Sequence, residues 1–389
     1  MSHGMILPGA TLGVLGGGQL GRMFVHAAQK MGYFTAVLDP DADSPAGRVS
    51  HHHIRTGYQD PQGLAELARL CAAVTTEFEN VPAAALQTLA HERPVAPSAD
   101  AVAIAQHRAR EKAHFERCGV PVAPHAVIES PEQLAAVSSH LLPGILKTAT
   151  LGYDGKGQVR VGTPQELAAA WEQLRRAPCV LEKRLPLAFE CSVVLARGQD
   201  GAMVQLPVQR NLHRGGILAV TEVLEETMPA TFTRQVVDAA RSIAEGMAYV
   251  GVLCIEFFVL ADGRLVVNEI APRPHNSGHW SIDGADVSQF ELQVRAMTGL
   301  PLVQPRQHSP ALMLNLLGEL WFARGAAASP PPWDEVLGLP GCHLHLYGKA
   351  EARAGRKMGH LTVTGSSSAA VRATALRVAQ ILGIAPFEV

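Results

Sequence analysis

Short apolar runs alternate with amphipathic stretches over the first 110 residues. The apolar runs predict strands at residues 12–15, 35–39 and 72–77, and the amphipathic stretches predict helices at 19–30 and about 61–70. Strands that alternate with helices are typical of a parallel sheet with helices on its faces. A helix predicted over about 98–118 and ending at Gly119 leads into the next part of the chain.

From about residue 120 to 305 the pattern changes to short apolar strands separated by turn residues. Strands are predicted at 144–149, 157–161, 179–185, 189–196, 202–209 and 216–223, and helices near 164–175 and 231–249. The low-complexity stretch 323–333 predicts an exposed connector, followed by strands within 342–349 and 359–365 and a helix over about 367–382. We therefore predict a mixed α/β and α+β fold with domains at 1–110, 111–305 and 306–389.

Composition excludes several classes of protein. The 389 residues carry 33 basic and 35 acidic side chains, a formal charge of −2, which argues against nucleic-acid and membrane-surface binding. Apolar runs are too short to span a bilayer, and the first residues lack the pattern of a secretory signal. The six cysteines lie far apart, and four of them, at 71, 179, 191 and 254, sit in or beside apolar runs. They predict buried free thiols and a reducing, cytoplasmic location.

A glycine-rich loop follows the first predicted strand. Gly16, Gly18 and Gly21 satisfy GxGxxG, and Asp39 ends the second strand near the spacing of a dinucleotide-binding fold. Taken alone, the first forty residues favour an NAD-dependent dehydrogenase.

A second glycine-rich loop follows the strand at 144–149. Lys147 lies inside that strand and requires an anionic partner, either a carboxylate or a phosphate. The loop holds Lys156 with Gly152, Gly155 and Gly157, and a loop without bulky side chains can close over phosphates, although it lacks the Walker form. The charged cluster at 180–186 can offer backbone groups to adenine, with Glu190 near the ribose, or it is a solvated strand end.

Residues 253–273 predict a hairpin that turns at Asp262 and Gly263. A turn there places Leu260 opposite Leu265 and Glu256 opposite Glu269. Opposed side chains lie about 5 Å apart, and like charges at that separation are destabilising. Two carboxylates suit Mg²⁺ that bridges phosphates, with Asn268 as a further oxygen donor. The alternative is one ionised glutamate beside a protonated or salt-bridged one. Together with Lys147 and the loop, the pair predicts an ATP–Mg²⁺ site and argues against hydride transfer.

Five motifs in order resemble the N5-carboxyaminoimidazole ribonucleotide synthetase family of ATP-grasp ligases. They are GGGQLGRM, TEFENVP at 76–82, LKTATLGYDGKGQ, NEIAPRPHNSGHWS at 268–281 and GRKMGHL at 355–361. The resemblance implies a Rossmann-like pre-ATP-grasp domain, a split ATP-grasp domain and a small C-terminal domain. It also implies a homodimer and a reaction of ATP, bicarbonate and 5-aminoimidazole ribonucleotide through carboxyphosphate, yielding ADP and phosphate. Formate-dependent glycinamide ribonucleotide transformylase is the alternative ligase.

The resemblance assigns roles to individual residues. It implies ATP binding by Arg108, Lys147, Gly152, Tyr153, Asp154, Gly155, Lys156, Gly157, Gln158, Glu182, Lys183, Arg184, Leu185, Glu190, His213, Asn268 and Glu269, with Glu256 and Glu269 as Mg²⁺ ligands. Catalytic roles fall to Tyr153, Asp154, Arg273, His275 and Asn276, with Asp154 as a candidate proton acceptor. Ribonucleotide binding falls to Gln19, Leu20, Glu77, Lys349, Arg356 and Lys357.

The resemblance also reinterprets the first glycine loop. Its glycines then permit a tight strand-to-helix turn, and Asp39 is a turn residue before Pro40. Glu77 and Glu79 lie two residues apart, so either one can meet the substrate, and a loop folding back on Asn80 explains them almost as well. The three histidines at 51–53 predict a partly exposed strand in preference to a metal site. A non-catalytic nucleotide sensor would not require both glutamates of the hairpin.

Overall fold

The structure is a computed structural model, and it describes residues 4–150, 152, 157–225, 228–323, 325 and 327–387. Three sheets organise the described residues, and the candidate site lies where they meet. None of the helices in this part of the chain combines the length and apolar character needed to cross a membrane.

The first sheet is parallel, as predicted, with strand order β3-β2-β1-β4. Its elements are β1 (Thr11–Leu15), α1 (Gln19–Lys30), β2 (Phe34–Leu38), β3 (His52–Ile54), α2 (Pro61–Leu70), β4 (Ala73–Thr76) and α3 (Ala83–Ala90). Helix α1 buries Leu20, Phe24 and Ala28, which recur every fourth residue on one face. Helix α2 begins at Pro61, behind an Asp60 side chain that accepts the amide of Gly63. Both helices have the predicted bounds.

The single helix predicted over 98–118 is wrong. The chain forms two helices, α4 (Ala99–Ala105) and α5 (Arg108–Arg117), separated by an extended residue, His107. Tertiary hydrogen bonds stabilise the break, since the Gln106 side chain donates to two carbonyls of the 79–81 loop and the Arg108 amide donates to the Ala149 carbonyl, 2.9 Å away. The break redirects α5 toward the candidate site.

The second sheet is antiparallel, with strand order β5-β8-β6-β7. Its elements are β5 (His125–Ile128), α6 (Pro131–Ala135), β6 (Gly144–Thr148), β7 (Gln158–Val161), α7 (Pro164–Gln173) and β8 (Cys179–Lys183). Leu146, Leu181 and Trp171 pack together in its core, so α7 covers one face of this sheet. The other face looks toward the third sheet, across a cavity that residues of both sheets line.

The third sheet has nine antiparallel strands, ordered β14-β13-β9-β11-β12-β15-β17-β16, with β10 paired to β9. Its strands are β9 (Leu187–Arg197), β10 (Met203–Gln205), β11 (Gln209–Arg214), β12 (Ile217–Val223), β13 (Gly251–Leu260), β14 (Leu265–Ala271), β15 (Ala311–Leu317), β16 (Cys342–Leu346) and β17 (Lys357–Thr364). The accompanying helices are α8 (Ala230–Gly246), α9 (Ser281–Gly284), α10 (Gln289–Thr298), α11 (Trp333–Leu337) and α12 (Ser368–Leu382).

Two features of this sheet differ from the simple reading of the sequence. The strand predicted over 202–209 is interrupted around Pro207, which has no amide to give to a ladder. Strands beyond residue 306 continue the sheet, because β15 pairs with β12, Leu314 opposite Val220. The sheet therefore crosses the predicted boundary between the second and third domains.

The predicted hairpin is formed by β13 and β14. Near the turn its register differs from the prediction, because Leu265 lies opposite Val259 and the longer loop is closed by a bond from the Leu260 amide to the Arg264 carbonyl. A β-bulge then absorbs Asn268 as one extra residue, and beyond it Glu256 lies opposite Glu269. The predicted pairing of the two acids is confirmed, although the register near the turn was wrong.

All six cysteines are free thiols, and the four predicted to be buried are buried. The histidines at 51–53 are exposed to half-buried and include the start of β3, as predicted. Within the described ranges, His, Cys, Asp and Glu side chains form no group of three or more that is suited to a metal ion.

Candidate active site

Two adjoining cavities lie between the three sheets. The first cavity, of about 560 Å³, opens toward the parallel sheet, and the second cavity, of about 900 Å³, lies between the four-stranded and nine-stranded sheets. Six residues line both: Arg108, Glu256, Glu269, His275, Asn276 and Lys357. We call these six residues the shared wall. Residues predicted to bind ATP, Mg²⁺ and the ribonucleotide, and residues predicted to be catalytic, therefore lie together in this wall.

The remaining predicted residues divide between the cavities. The first cavity is also lined by Gln19, Leu20, Glu77, Gly152, Arg273, Lys349 and Arg356, and the second by Lys147, Gln158, Glu182, Lys183, Arg184, Leu185, Glu190, His213 and Asn268. Gly157 is not among the lining residues of either cavity, and its carbonyl accepts the Thr148 amide. Four further predicted site residues lie outside the described residues: Tyr153, Asp154, Gly155 and Lys156.

The first glycine loop binds a carboxylate of the protein itself. Glu77 accepts the amides of Gly18 and Gly21, at 2.9 and 3.2 Å, at the start of α1. A Cβ on Gly18 would lie only 2.5 Å from the Glu77 carboxylate, so the glycine permits this approach. The pyrophosphate of a dinucleotide would require the same helix N-terminus. This contact argues against the dehydrogenase hypothesis.

Asp39 anchors the same loop from the other side. Its carboxylate accepts the Gly17 amide and the Tyr58 hydroxyl, each at 2.7 Å. The predicted turn residue is therefore also a structural support of the loop. Gln19 and Leu20, which follow the supported glycines, line the first cavity.

Lys147 has an anionic partner within the protein. Its ammonium lies 2.9 Å from one oxygen of Glu182, and Lys112 of α5 lies 3.1 Å from the other. Burial would raise the pKa of Glu182, but the two ammonium groups lower it to about 2. The carboxylate alternative for Lys147 is thus confirmed, while Lys147 and Glu182 still line the second cavity. Two lysines around one glutamate leave this end of the cavity positively charged.

The ion pairs of Glu182 with Lys112 and Lys147 make the stability of the folded protein depend on pH. The pKa of Glu182 is lower in the folded protein than its ordinary value of 4.5, so the unfolded chain binds the extra proton. The stabilisation is complete above about pH 4.5 and is lost as the pH falls toward 2. We expect the urea midpoint of the wild type to fall more steeply between pH 5 and 3 than that of Glu182→Gln, which cannot titrate there. Parallel curves would contradict the assignment.

The acidic pair occupies the centre of the shared wall. Glu269 contacts Arg108 at 3.2 Å, and Glu256 contacts Nε2 of His275 at 3.4 Å. Burial, together with the charges of Glu269 and Glu190, raises the pKa of Glu256 to about 7 despite the opposing effect of His213. Such repulsion favours a cation between the carboxylates.

The donor set fits Mg²⁺. Two carboxylates are adjacent on one face of the sheet, and the buried Oδ1 of Asn268 has no hydrogen-bond partner. Hard oxygen donors of this kind are what Mg²⁺ prefers, and substrate phosphates commonly complete its shell. A cation that binds both carboxylates and this amide oxygen would explain why the oxygen has no hydrogen-bond partner and why two repelling acids lie together.

Anion-binding groups lie beside the acidic pair. Arg273 forms a close ion pair with Glu79, which holds the pKa of that carboxyl below its ordinary value although burial opposes it. Burial and the charges of Arg273 and Lys357 hold the pKa of His275 well below its ordinary value, so the ring is neutral. Its Nδ1 accepts the Ser277 amide, which assigns the proton to Nε2, the nitrogen that faces the shared wall.

Two further groups complete the electrostatics. His213 forms a close ion pair with Glu190, and this carboxylate, with Glu256, raises the pKa of His213 to about 9 against the effect of burial. In the first cavity, Lys349 and Arg356 donate to backbone carbonyls of Lys357 and Glu351, at 2.6 and 2.7 Å. These bonds fix two basic side chains, and the cavity is also lined by Lys357, so three basic residues line it, an arrangement suited to a phosphate.

Sequence reasoning missed two residues of the site, and it named a third only as an alternative to Glu77. Lys112 pairs with Glu182, Glu111 lines the first cavity, and Glu79 pairs with Arg273. Of these, only Glu79 carried a signal, the TEFENVP motif, in which it and Glu77 were equivalent candidates. Glu111 and Lys112 lie in a helix whose residues are charged on all sides, so no periodic pattern marked them as buried.

Comparison with known proteins is consistent along the chain. The sequence matches family models described as ribonucleotide synthetase preATP-grasp domain over residues 9–106, ATP-grasp domain over 113–290 and phosphoribosylaminoimidazole carboxylase C-terminal domain over 311–374. The N5-carboxyaminoimidazole ribonucleotide synthase of Brucella melitensis biotype 1 is 42% identical over 375 residues, which cover 93% of this chain and 98% of that protein.

Solved structures extend this similarity to the fold. N5-carboxyaminoimidazole synthetase from Staphylococcus aureus, complexed with ADP, is 35% identical with a TM-score of 0.89 and covers 98% of this chain and 99% of its own. The synthase from Aspergillus clavatus, in complex with ADP and 5-aminoimidazole ribonucleotide, is 31% identical with a TM-score of 0.87 and covers 96% of this chain and 98% of its own.

Proposed function

Because the chain belongs to the N5-carboxyaminoimidazole ribonucleotide synthase family of ATP-grasp ligases, we propose that its two cavities bind the two large substrates of one carboxylation. The protein is an ATP-dependent ligase of purine biosynthesis that carboxylates 5-aminoimidazole ribonucleotide. The observation that carries the proposal is the shared wall, in which the acidic pair, His275 and Asn276 face both cavities, while Arg273 lines the first.

The second cavity is the proposed ATP site. Lys147 of β6 supplies a positive charge to this cavity, and residues 182–185 line the same cavity. Glu190, which lines this cavity and is paired with His213, is the proposed acceptor for the ribose hydroxyls. In the 152–158 loop, Gly152 lines the first cavity and Gln158 lines the second. The proposal that the residues between these two cover the phosphates rests on the resemblance.

Magnesium is proposed between Glu256 and Glu269, with the Asn268 oxygen as a further ligand. The support is the orphaned oxygen and the repulsion between the two carboxylates. When bound, the ion would offset phosphate charge during transfer of the terminal phosphoryl group. Arg108 contacts Glu269 at 3.2 Å and orients that carboxylate within the wall.

Bicarbonate is the proposed second substrate at the shared wall. Arg273 offers a fixed positive charge, and His275 offers a neutral N–H donor that does not compete for a proton. Donors of this kind, with Asn276 beside them, stabilise the negative charge that develops on carboxyphosphate. Tyr153 and Asp154 remain proposed, on the resemblance alone, as neighbours of the amine that attacks the carboxyl carbon and loses a proton.

The first cavity is the proposed ribonucleotide site. Its three basic residues, Lys349, Arg356 and Lys357, fit the 5′-phosphate, and Gln19 and Leu20 also line this cavity. Glu77 contributes by shaping the glycine loop, since its carboxylate is already engaged with two amides.

Removal of one basic side chain tests this assignment. We expect Arg356→Ala to raise the KM for the ribonucleotide about tenfold or more, because a charge-assisted bond to phosphate is lost, with the KM for ATP unchanged. Steady-state kinetics with each substrate varied in turn measures both constants. Arg353→Ala is the matched control, since Arg353 is exposed and paired with Glu351. An unchanged KM for the ribonucleotide would remove Arg356 from the phosphate site.

One assay tests the whole proposal. ADP release is measured with Mg²⁺, bicarbonate and 5-aminoimidazole ribonucleotide, with each omitted in turn, and separately with Mg²⁺, formate and glycinamide ribonucleotide. We expect full ADP release only in the first mixture, with all three components present. ADP release that ignores bicarbonate would overturn the proposed carboxylation, release only with formate and glycinamide ribonucleotide would favour the transformylase, and absence of turnover in both mixtures would favour a nucleotide sensor. The predicted homodimer is tested separately by analytical ultracentrifugation.

A further inference from the structure

Helix α5 is the most polar helix near the site, yet it is buried. Arg108, Glu111 and Lys112 lie on one face of it, with Glu111 2% and Lys112 1% exposed. Burial of charged groups is costly unless each has a partner, and here each has one beside a cavity. Arg108 contacts Glu269, Lys112 contacts Glu182, and Glu111 accepts the Ile270 amide at 2.7 Å.

The contact of Glu111 is made at the β-bulge of the hairpin. β14 is an edge strand, and two of its amides, Val267 and Ile270, donate outward, to the Pro121 carbonyl and to Glu111. In a regular strand the outward amides recur every second residue, so amides three residues apart would point to opposite sides. Both point outward here because the bulge adds one residue, Asn268, between them.

The bulge decides where Glu269 points. The register near the turn, continued without the bulge, would place Asn268 opposite Glu256. A shift of one residue moves a side chain to the other face of a strand, so Glu269 would then leave the shared wall. The two acids are neighbours only because the extra residue is held between the two outward bonds.

We propose that Glu111 is a positioning residue, which holds the Ile270 amide and thereby keeps the bulge that sets Glu269 beside Glu256. The inference rests on the proposed Mg²⁺ site and adds a residue that acts on it through the backbone. Glu111 adds a third carboxyl group to Glu256 and Glu269. Burial and the charge of Glu269 raise the pKa of Glu111 to about 8. The bond to Ile270 explains why an acceptor with this reach is present at all.

Two variants separate reach from the carboxyl group itself. Glu111→Gln keeps the reach and an acceptor oxygen but replaces the carboxyl group with an amide, whereas Glu111→Asp keeps the carboxyl group but is one methylene shorter. We expect Glu111→Gln to bind Mn²⁺ in the presence of ADP within about threefold of the wild type. Glu111→Asp is expected to bind it about tenfold or more weakly, as is usual when a group that orients a metal ligand is lost. Electron paramagnetic resonance of free Mn²⁺ measures both affinities without turnover.

The controls distinguish positioning from general stability. His114→Ala removes a buried hydrogen bond of the same helix, to the Ile243 carbonyl, on the side away from the cavities. It is expected to lower the urea midpoint without changing the Mn²⁺ affinity. If Glu111→Asp does not fold, Glu111→Ser replaces it as the variant of short reach.

Each outcome decides the proposal. Equal Mn²⁺ affinity in the short-reach variant and the wild type overturns it, as does a loss in Glu111→Gln as large as that in the short-reach variant. Glu269→Gln is titrated alongside. If that variant retains Mn²⁺ affinity, the Mg²⁺ site itself fails; if it loses affinity while the short-reach variant does not, only the role of Glu111 fails.

Discussion

Glu269→Gln is expected to lower the rate of ADP formation by about 10²–10³-fold, with the fold intact. Glutamine keeps the shape of the side chain and an oxygen for Arg108, 3.2 Å from the wild-type carboxylate, but it removes one of the two charges of the acidic pair. Glu256 alone then faces the phosphates. The rate is measured by chromatography of ADP with all substrates saturating and Mg²⁺ at ordinary concentration.

The matched control for this variant is Glu172→Gln. Glu172 lies on α7, forms an exposed pair with Arg176 and lines neither cavity. Its replacement by glutamine is the same chemical change as in Glu269→Gln. Wild-type activity in Glu172→Gln and equal urea midpoints in all three proteins would assign the loss to the site. Substantial activity in Glu269→Gln at ordinary Mg²⁺ would rule out a bridging role for that carboxylate.

Arg273→Ala is expected to lower both activity and stability. The guanidinium pairs with Glu79, and its removal leaves a largely buried carboxylate unpaired, at a cost of about 3 kcal/mol in the free energy of unfolding. The rate of ADP formation should fall by about a hundredfold or more, because a fixed positive charge beside the developing anion is lost. Urea titration and the ADP assay measure the two effects on the same preparation.

A double variant separates the two effects of Arg273. Glu79→Gln combined with Arg273→Ala removes the stranded charge, so we expect most of the lost stability to return while the activity stays low. If activity returns together with stability, Arg273 serves only to hold the 79–81 loop against the hairpin. Such a result would remove it from the catalytic residues and leave the bicarbonate site with His275 and Asn276.

The hairpin shows which features of the site can be predicted from the sequence alone and which cannot. Asp262 and Gly263 located the turn, and the pairing of Glu256 with Glu269 followed. The prediction assumed one register from the turn to the acids, whereas the structure has a longer loop and a compensating bulge. Sequence reasoning cannot recover the bulge because the groups that accept its outward amides, Glu111 and Pro121, come from another part of the chain.

The same limit applies to the charged residues of the site. The strand position of Lys147 indicated that it needs an anion, and this was correct, but Glu182 and Lys112 are brought to it only by tertiary contacts. The break between α4 and α5 was missed for the same reason, since its bonds run to residues 79, 81 and 149. Local patterns predicted most elements, while contacts distant in sequence determine how the site is assembled.

The pairing of β12 with β15 has a consequence for dissecting this protein. One hydrogen-bonded sheet runs from β14, which carries Glu269, to β17, which begins at Lys357, so residues on both sides of 306 share its backbone hydrogen bonds. A truncation before residue 306 would leave β12 as an uncovered edge, a surface prone to intermolecular strand pairing. We therefore expect a chain cut there to aggregate more readily than the full chain.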